Sequence, residues 1–214
     1  MLFWLVLALA AFLAWRRFLR GYAPPAAPLA RLAPREAAFL AAAAGATFPP
    51  GGAIARSAGE AGIVAYVDRW LGSLPARPRR LMRLLFAAME HATLLFPAPG
   101  RGGRRRFSAL SAEQRVAALE GWAHSPLAPR RLVFASLRAI LTMGYFGDPA
   151  VMRQLGLAPL AVDTPVCEAD LLWPAVGRPA SAIRWHRADL TPPSSGRPLD
   201  GDGPLHPAYA EDRR

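Results

Sequence analysis

The chain has 214 residues, 53% of them hydrophobic, with 22 prolines and a formal net charge of +11 carried by 26 basic residues, every one an arginine. That length and apolar content suffice for one sizeable core with appendages, while a single cysteine, Cys167, excludes an intrachain disulfide and a cysteine-based metal cluster within one chain. The missing lysine, beside so many alanines and prolines, reads as the imprint of a GC-rich coding sequence, so the arginine count carries little functional weight by itself. The charge is uneven: residues 23–106 hold twelve arginines against four acids, and residues 157–214 hold six against eight.

Met1 to Trp15 is an uninterrupted apolar run followed at once by Arg16, Arg17 and Arg20. As helix it reaches about 23 Å of the ~30 Å hydrocarbon core, and snorkelling arginines with Phe18 and Leu19 extend it. It is expected to be a single-pass membrane anchor, because no polar face marks an amphipathic interfacial helix and the charges follow the apolar run where a cleaved export signal needs them before it. Arginines behind the anchor stay on the cytoplasmic side, which puts the body in the cytoplasm at a bacterial inner membrane, with a periplasmic body as the alternative. Tyr22 to Pro28 is a proline-rich spacer.

Pro34 sits at a first-turn position, and Glu36, Phe39, Leu40, Ala43 and Ala44 follow as a small alanine-rich helix that Phe48-Pro49-Pro50-Gly51-Gly52 terminates. Ser57 with Glu60 forms a capping box, and Ile63, Val64, Val67, Trp70 and Leu71 then bury one face, leaving Asp68 and Arg69 to water. Pro78 to Phe96 is amphipathic, with Leu81, Leu84, Leu85, Ala88, Leu94 and Leu95 as its expected apolar face. Arg79, Arg80 and Arg83 near its start oppose the helix dipole and point to a counter-anion or acidic partner. His91 shares the apolar face and reads as a buried histidine satisfied by a neighbour, since no other ligand or base stands at suitable spacing.

Pro99 to Arg106 (PGRGGRRR) reads as a flexible arginine loop. It could be merely solvated, or serve anionic lipid beside the anchor, or bind nucleic acid; the last lacks interleaved aromatics and a recognition helix. Ser111 with Gln114 is a second capping box, so a helix begins near Ser111, with Val116, Leu119 and Trp122 buried. His124-Ser125-Pro126-Leu127-Ala128-Pro129 breaks it, and a helix from about Pro129 carries Leu132, Val133, Phe134, Leu137, Ile140 and Leu141 up to Gly144-Tyr145-Phe146-Gly147. Asp148-Pro149 caps a third, short helix. Neighbouring His124 and Ser125 point in different directions and have no nucleophile-elbow context, and no dinucleotide fingerprint, P-loop or HExxH is present.

After Gly156 the pattern changes: residues 157–214 hold nine prolines, little periodicity and scattered large apolar residues. Such a segment cannot build a core of its own yet is too rich in Trp and Leu to be a solvating tail. Trp173 and Trp185 are its expected anchors, on a partner or on the helical body.

The succession Phe107-Ser108-Ala109-Leu110-Ser111, Gln114-Arg115, Gly121-Trp122-Ala123-His124-Ser125, Arg130-Arg131, Gly144-Tyr145-Phe146-Gly147-Asp148-Pro149 and Leu155-Gly156 resembles the gluconate 2-dehydrogenase subunit 3 family. It is also similar to the helical N-terminal region fused to some long-chain alcohol oxidases. Phe48-Pro49-Pro50 and the helix from Tyr66 to Leu74 fit the family more loosely, so the resemblance covers roughly residues 30–157. It implies a small, non-catalytic partner of a flavin-dependent dehydrogenase of the glucose-methanol-choline type, with the flavin entirely in the large subunit. Members of the family commonly carry a twin-arginine export signal ahead of an apolar run; here Arg16-Arg17 comes behind one, a departure that argues against a periplasmic body.

The expected architecture is all-α: an anchor over 1–21, a spacer over 22–30, a subunit-3-like bundle of five or six helices over 31–157, and an extended arm over 158–214. The expected function is a non-catalytic subunit that holds a flavoprotein dehydrogenase at the membrane, no cofactor of its own, FAD in the partner, and a cytochrome or quinone as acceptor. Trp122, Tyr145, Phe146, Trp173 and Trp185 are candidate partner contacts, and Arg16, Arg17, Arg20, Arg104, Arg105 and Arg106 candidates for anionic lipid; no catalytic or metal residue and no nucleic-acid partner is expected. The alternative is a free-standing, membrane-associated basic protein that binds anionic lipid or nucleic acid.

Overall fold

The computed structural model describes residues 1–25, 27–162, 166–174, 177–191 and 202–210, with backbone alone at positions 2, 10, 13, 14 and 19. Described residues fall into two units, Met1–Leu155 and Gly156–Arg214. In the first, α1 (Leu2–Leu19) precedes a helical body of α2 (Pro34–Thr47), α3 (Ile63–Ser73), α4 (Ala76–His91), α5 (Ala112–Ala123), α6 (Ala128–Phe146) and α7 (Pro149–Gln154). Helix α2 is the central element, packed against α3, α4 and α5, while α6 closes over α3 and α5. The alanines explain that position: Ala37, Ala42, Ala43 and Ala44 are all buried and keep the neighbouring backbones close. Phe39, fully buried in the middle of α2, sets its ring 5.3 Å from Phe107 and 6.4 Å from Phe86.

Local signals place most helix starts. Ser111 Oγ accepts the amide of Gln114 and Gln114 Oε1 accepts the amide of Ser111, so the capping box opens α5 as expected. Asp148 Oδ1 accepts the amides of Ala150 and Val151 and caps α7. At α2, Pro34 occupies the first turn and Glu36 accepts the amide of Ala33 at 2.9 Å. The Ser57–Glu60 box closes only an isolated turn, with Glu60 accepting the amide of Ser57 at 2.7 Å. Helix α3 starts later, after Gly62 enters the left-handed region at φ 64°.

In four places the structure departs further from these expectations. Among the described residues no helix is long and apolar enough to cross a membrane. Arg16 and Arg17 lie inside the last turn of α1, so its apolar part reaches about 21 Å, and the single-pass anchor and the topology argued from it lose their support. Asp68 is not left to water: it is 7% exposed and accepts the amides of Ala30, Arg31 and Leu32, tying the approach to α2 onto α3. Helix α4 turns its other face inward, burying Phe86, Met89 and Glu90 while Leu81, Leu84 and Ala88 are exposed. Last, the Pro99–Arg106 segment is a built loop and not a slack one.

That loop is pinned by Gln114, whose Nε2 donates to the carbonyls of Pro99 and Arg101, and by the Ala98 amide donating to the Gly103 carbonyl. Gly103 is obligatory there, because a Cβ would stand 1.8 Å from the Ala98 carbonyl oxygen.

The second unit carries short turns of helix, α8 (Glu168–Leu171) and α9 (Pro207–Ala210), and one antiparallel bridge between Leu160 and Leu205. None of its described residues is buried, as expected of a segment without its own core. The parts of the expected arm at 163–165, 175–176, 192–201 and 211–214 lie outside the described residues.

Candidate functional site

Three carboxylates are buried, those of Glu36, Asp68 and Glu90, and all three are held in contacts within the fold. Glu36, 2% exposed, is paired with Arg83 at 2.9 and 3.2 Å. The arginine-rich start of α4 thus finds a counter-anion inside this chain, where Arg83 pairs with the buried Glu36. Asp68 is held below the usual carboxylate range: burial pushes it up, but the three amides donating to it prevail. Glu90 goes the other way, raised by burial despite the hydrogen bonds from the amide and hydroxyl of Ser108.

Next to Glu90, His91 packs its ring 4.3 Å from that of Phe18 in α1. Both its ring nitrogens are buried and neither has a hydrogen-bond partner, which corrects the expectation of a satisfied histidine. Burial, reinforced by the positive charges of Arg17, Arg106 and Arg35, lowers its pKa to about 4 and keeps the imidazole neutral. His124 ends α5, its Nδ1 lying 3.1 Å from the Glu120 carbonyl, while Ser125 Oγ accepts the amide of Leu127. His124 is the C-cap of α5, and Ser125 lies in the link before Leu127, the N-cap of α6.

The aromatic corner is a clamp. Tyr145 stacks on Phe48 at 4.0 Å, donates its hydroxyl to the Arg56 carbonyl, and is 2% exposed. Arg56 in turn pairs with Asp148 at 2.9 Å, so the α6–α7 corner is locked to the segment before α3. Gly144 permits this, since a Cβ would sit 2.9 Å from the Tyr66 ring. Tyr145 is thus buried in the clamp and presents almost none of its surface in this chain. Phe146 beside it is 38% exposed. Trp122 is half-buried: Phe96 meets it edge-on at 5.7 Å and the Arg130 guanidinium lies over both rings. Trp173 is 80% exposed and Trp185 partly exposed, each within the second unit.

What the body leaves open is apolar and basic. Leu81, Leu84 and Ala88 follow one another along the outward face of α4, and Leu94 and Leu95 stay exposed beyond its end. Periodicity marked this stripe but assigned it to the core. The six candidate arginines divide: Arg16, Arg17, Arg20, Arg105 and Arg106 line one cleft of about 610 Å³. Arg104 donates to the Leu94 carbonyl and its own carbonyl accepts from Arg17.

The body is all-α, its buried acids Glu36, Asp68 and Glu90 are held in contacts within the fold, and a leucine stripe lies outward on α4. The chain belongs to the gluconate 2-dehydrogenase subunit 3 family, whose pattern it matches over residues 34–161. The family is a subunit of a dehydrogenase complex. No curated protein and no solved structure matches it.

Proposed function

We propose that this chain is a non-catalytic small subunit that binds and stabilises a flavin-dependent dehydrogenase of the glucose-methanol-choline type, with FAD held by the large subunit. The observation that carries this reading is that the family match runs from the first residue of α2 past the end of α7, and so takes in the whole helical body. The buried carboxylates support it, because Glu36, Asp68 and Glu90 are each held in a structural contact. So does the outward stripe on α4: a leucine left in water forgoes roughly 1.5–3 kcal/mol of burial, a loss that docking against another subunit restores. Phe146 and Trp122 are further contact candidates on the body, and Trp173 and Trp185 on the second unit. Electrons leaving the flavin would pass to a cytochrome or quinone without entering this chain.

Affinity purification from the native host tests the proposal. A stoichiometric flavoprotein with flavin absorbance is the expected companion, and the double substitution Leu81→Ser/Leu84→Ser should release it while far-ultraviolet circular dichroism stays unchanged. A monodisperse monomer that recruits no flavoprotein, or turnover by the isolated chain, would overturn it.

A further inference from the structure

Beyond docking a dehydrogenase, the foot of α1 has the makings of a lipid site. From Met1 to Trp15 every side chain the structure describes is exposed, and those at positions 3, 4, 5, 6, 7 and 9 circle the whole helix. A groove on a partner protein covers one stripe of a helix; a helix apolar on all sides is matched by a surround that is apolar in all directions, as acyl chains are. At its foot this helix is clasped to the body. Arg17 donates to the Arg104 carbonyl and lies 3.3 Å from Thr93 Oγ1, Arg106 donates to the carbonyls of Arg20 and Gly21, and Phe18 covers His91.

The clasp gathers five guanidinium groups around one cleft, those of Arg16, Arg17, Arg20, Arg105 and Arg106, and no carboxylate lines it. Two of them, Arg17 and Arg106, hold backbone carbonyls, which carry no compensating charge, and the buried Glu90 lies behind the cleft within electrostatic reach of both. The guanidinium groups of the other three make no hydrogen bond or ion pair among the described residues and can take an anion, Arg20 from its place on the Trp15 ring. Phe12 and Trp15 complete the wall, with Arg20 stacked 4.4 Å from the Trp15 ring, so the cleft opens from cationic foot to apolar stem. Cations and a tryptophan at one level, with bare hydrocarbon beyond, is the order of groups that an anionic phospholipid presents in mirror image.

We infer that the cleft at the foot of α1 binds the phosphate of an anionic phospholipid, with α1 lodged among the acyl chains of the same membrane. The site does not depend on α1 crossing the bilayer.

Cosedimentation of the full chain with vesicles of phosphatidylcholine, with or without phosphatidylglycerol, tests it. Binding should need phosphatidylglycerol and weaken steeply with salt. Arg16→Gln/Arg20→Gln/Arg105→Gln together should lower the partition coefficient on the order of a hundredfold, and the salt dependence of the unmodified chain gives the same answer should that variant fail to fold. Equal binding to both vesicles would reduce the site to simple apolar insertion and overturn it. Displacement by millimolar inorganic phosphate would assign the cleft to a soluble anion and overturn the lipid. Self-association that shields Trp4 and Trp15 from a soluble quencher without lipid would assign α1 to a second copy, with the same consequence. Loss of the flavoprotein companion with lipid binding intact would refute the docking role alone.

Discussion

Asp68 shows how one side chain can organise a connection between elements. The three amides at Ala30, Arg31 and Leu32 have no helix to satisfy them, and the carboxylate takes all three at 2.8 to 2.9 Å. Asp68→Ala is expected to cost about 2–4 kcal/mol, read by chemical denaturation, because it leaves amides beneath α2 without an acceptor. With its pKa held low, the contribution of Asp68 is complete above the ordinary carboxylate value and lost as pH falls through the folded one.

His91 gives a different pH signature. Its folded pKa of about 4 lies below the ordinary 6.5, so on acidification the unfolded chain takes up a proton that the folded chain refuses. Stability should therefore be insensitive to this group above about 6.5 and fall as pH drops from there towards about 4. His91→Phe, retaining the contact with Phe18, is expected to remove that part of the slope in unfolding free energy measured between these limits.

At the scale of elements, the arginine loop is the sharpest test. Gly103→Ala forces a methyl into the Ala98 carbonyl and should disorder the loop, lowering the melting temperature by several degrees. Hydrogen exchange should speed up at the Ala98 amide. The sequence made α2, α5, α6 and α7 legible because their starts are written in local chemistry: a proline in the first turn, a serine or aspartate cap, a glutamine three residues on. It misled at α4 for a physical reason. The inward face of that helix carries Glu90, with Ser108 as its partner, and is flanked by Arg83, with Glu36 as its partner, so polarity points outward from a surface that is in fact buried. Periodicity finds the two faces of a helix; it cannot tell which of two mixed faces meets the core until the partners on other elements are known. Asp68 was missed likewise, since its partners are amides 36 to 38 residues away.

For the whole molecule, the separation between α1 and the body has a measurable result. Because the described side chains from Met1 to Trp15 touch solvent and not the core, removing those residues while keeping Arg16 onward should leave the melting temperature of the body within about 2 °C. A large loss would mean that α1 is part of the hydrophobic core. The outward stripe of α4 was visible in the sequence as apolar periodicity and the candidate lipid residues as a charge cluster. Their meeting in one cleft was not, since Arg16, Arg17 and Arg20 stand some 85 residues before Arg105 and Arg106.

The two-pronged grip of Arg106 has one more consequence. Its Nη1 and Nη2 hold successive carbonyls at 2.6 and 2.8 Å while the flat guanidinium rests 4.2 Å from the Tyr22 ring. A tapered ammonium can reach one such oxygen but cannot span both and lie flat on an aromatic ring. A drift in nucleotide composition toward arginine codons would be free to reverse at exposed positions; at this one, the choice of cation has become part of the joint itself.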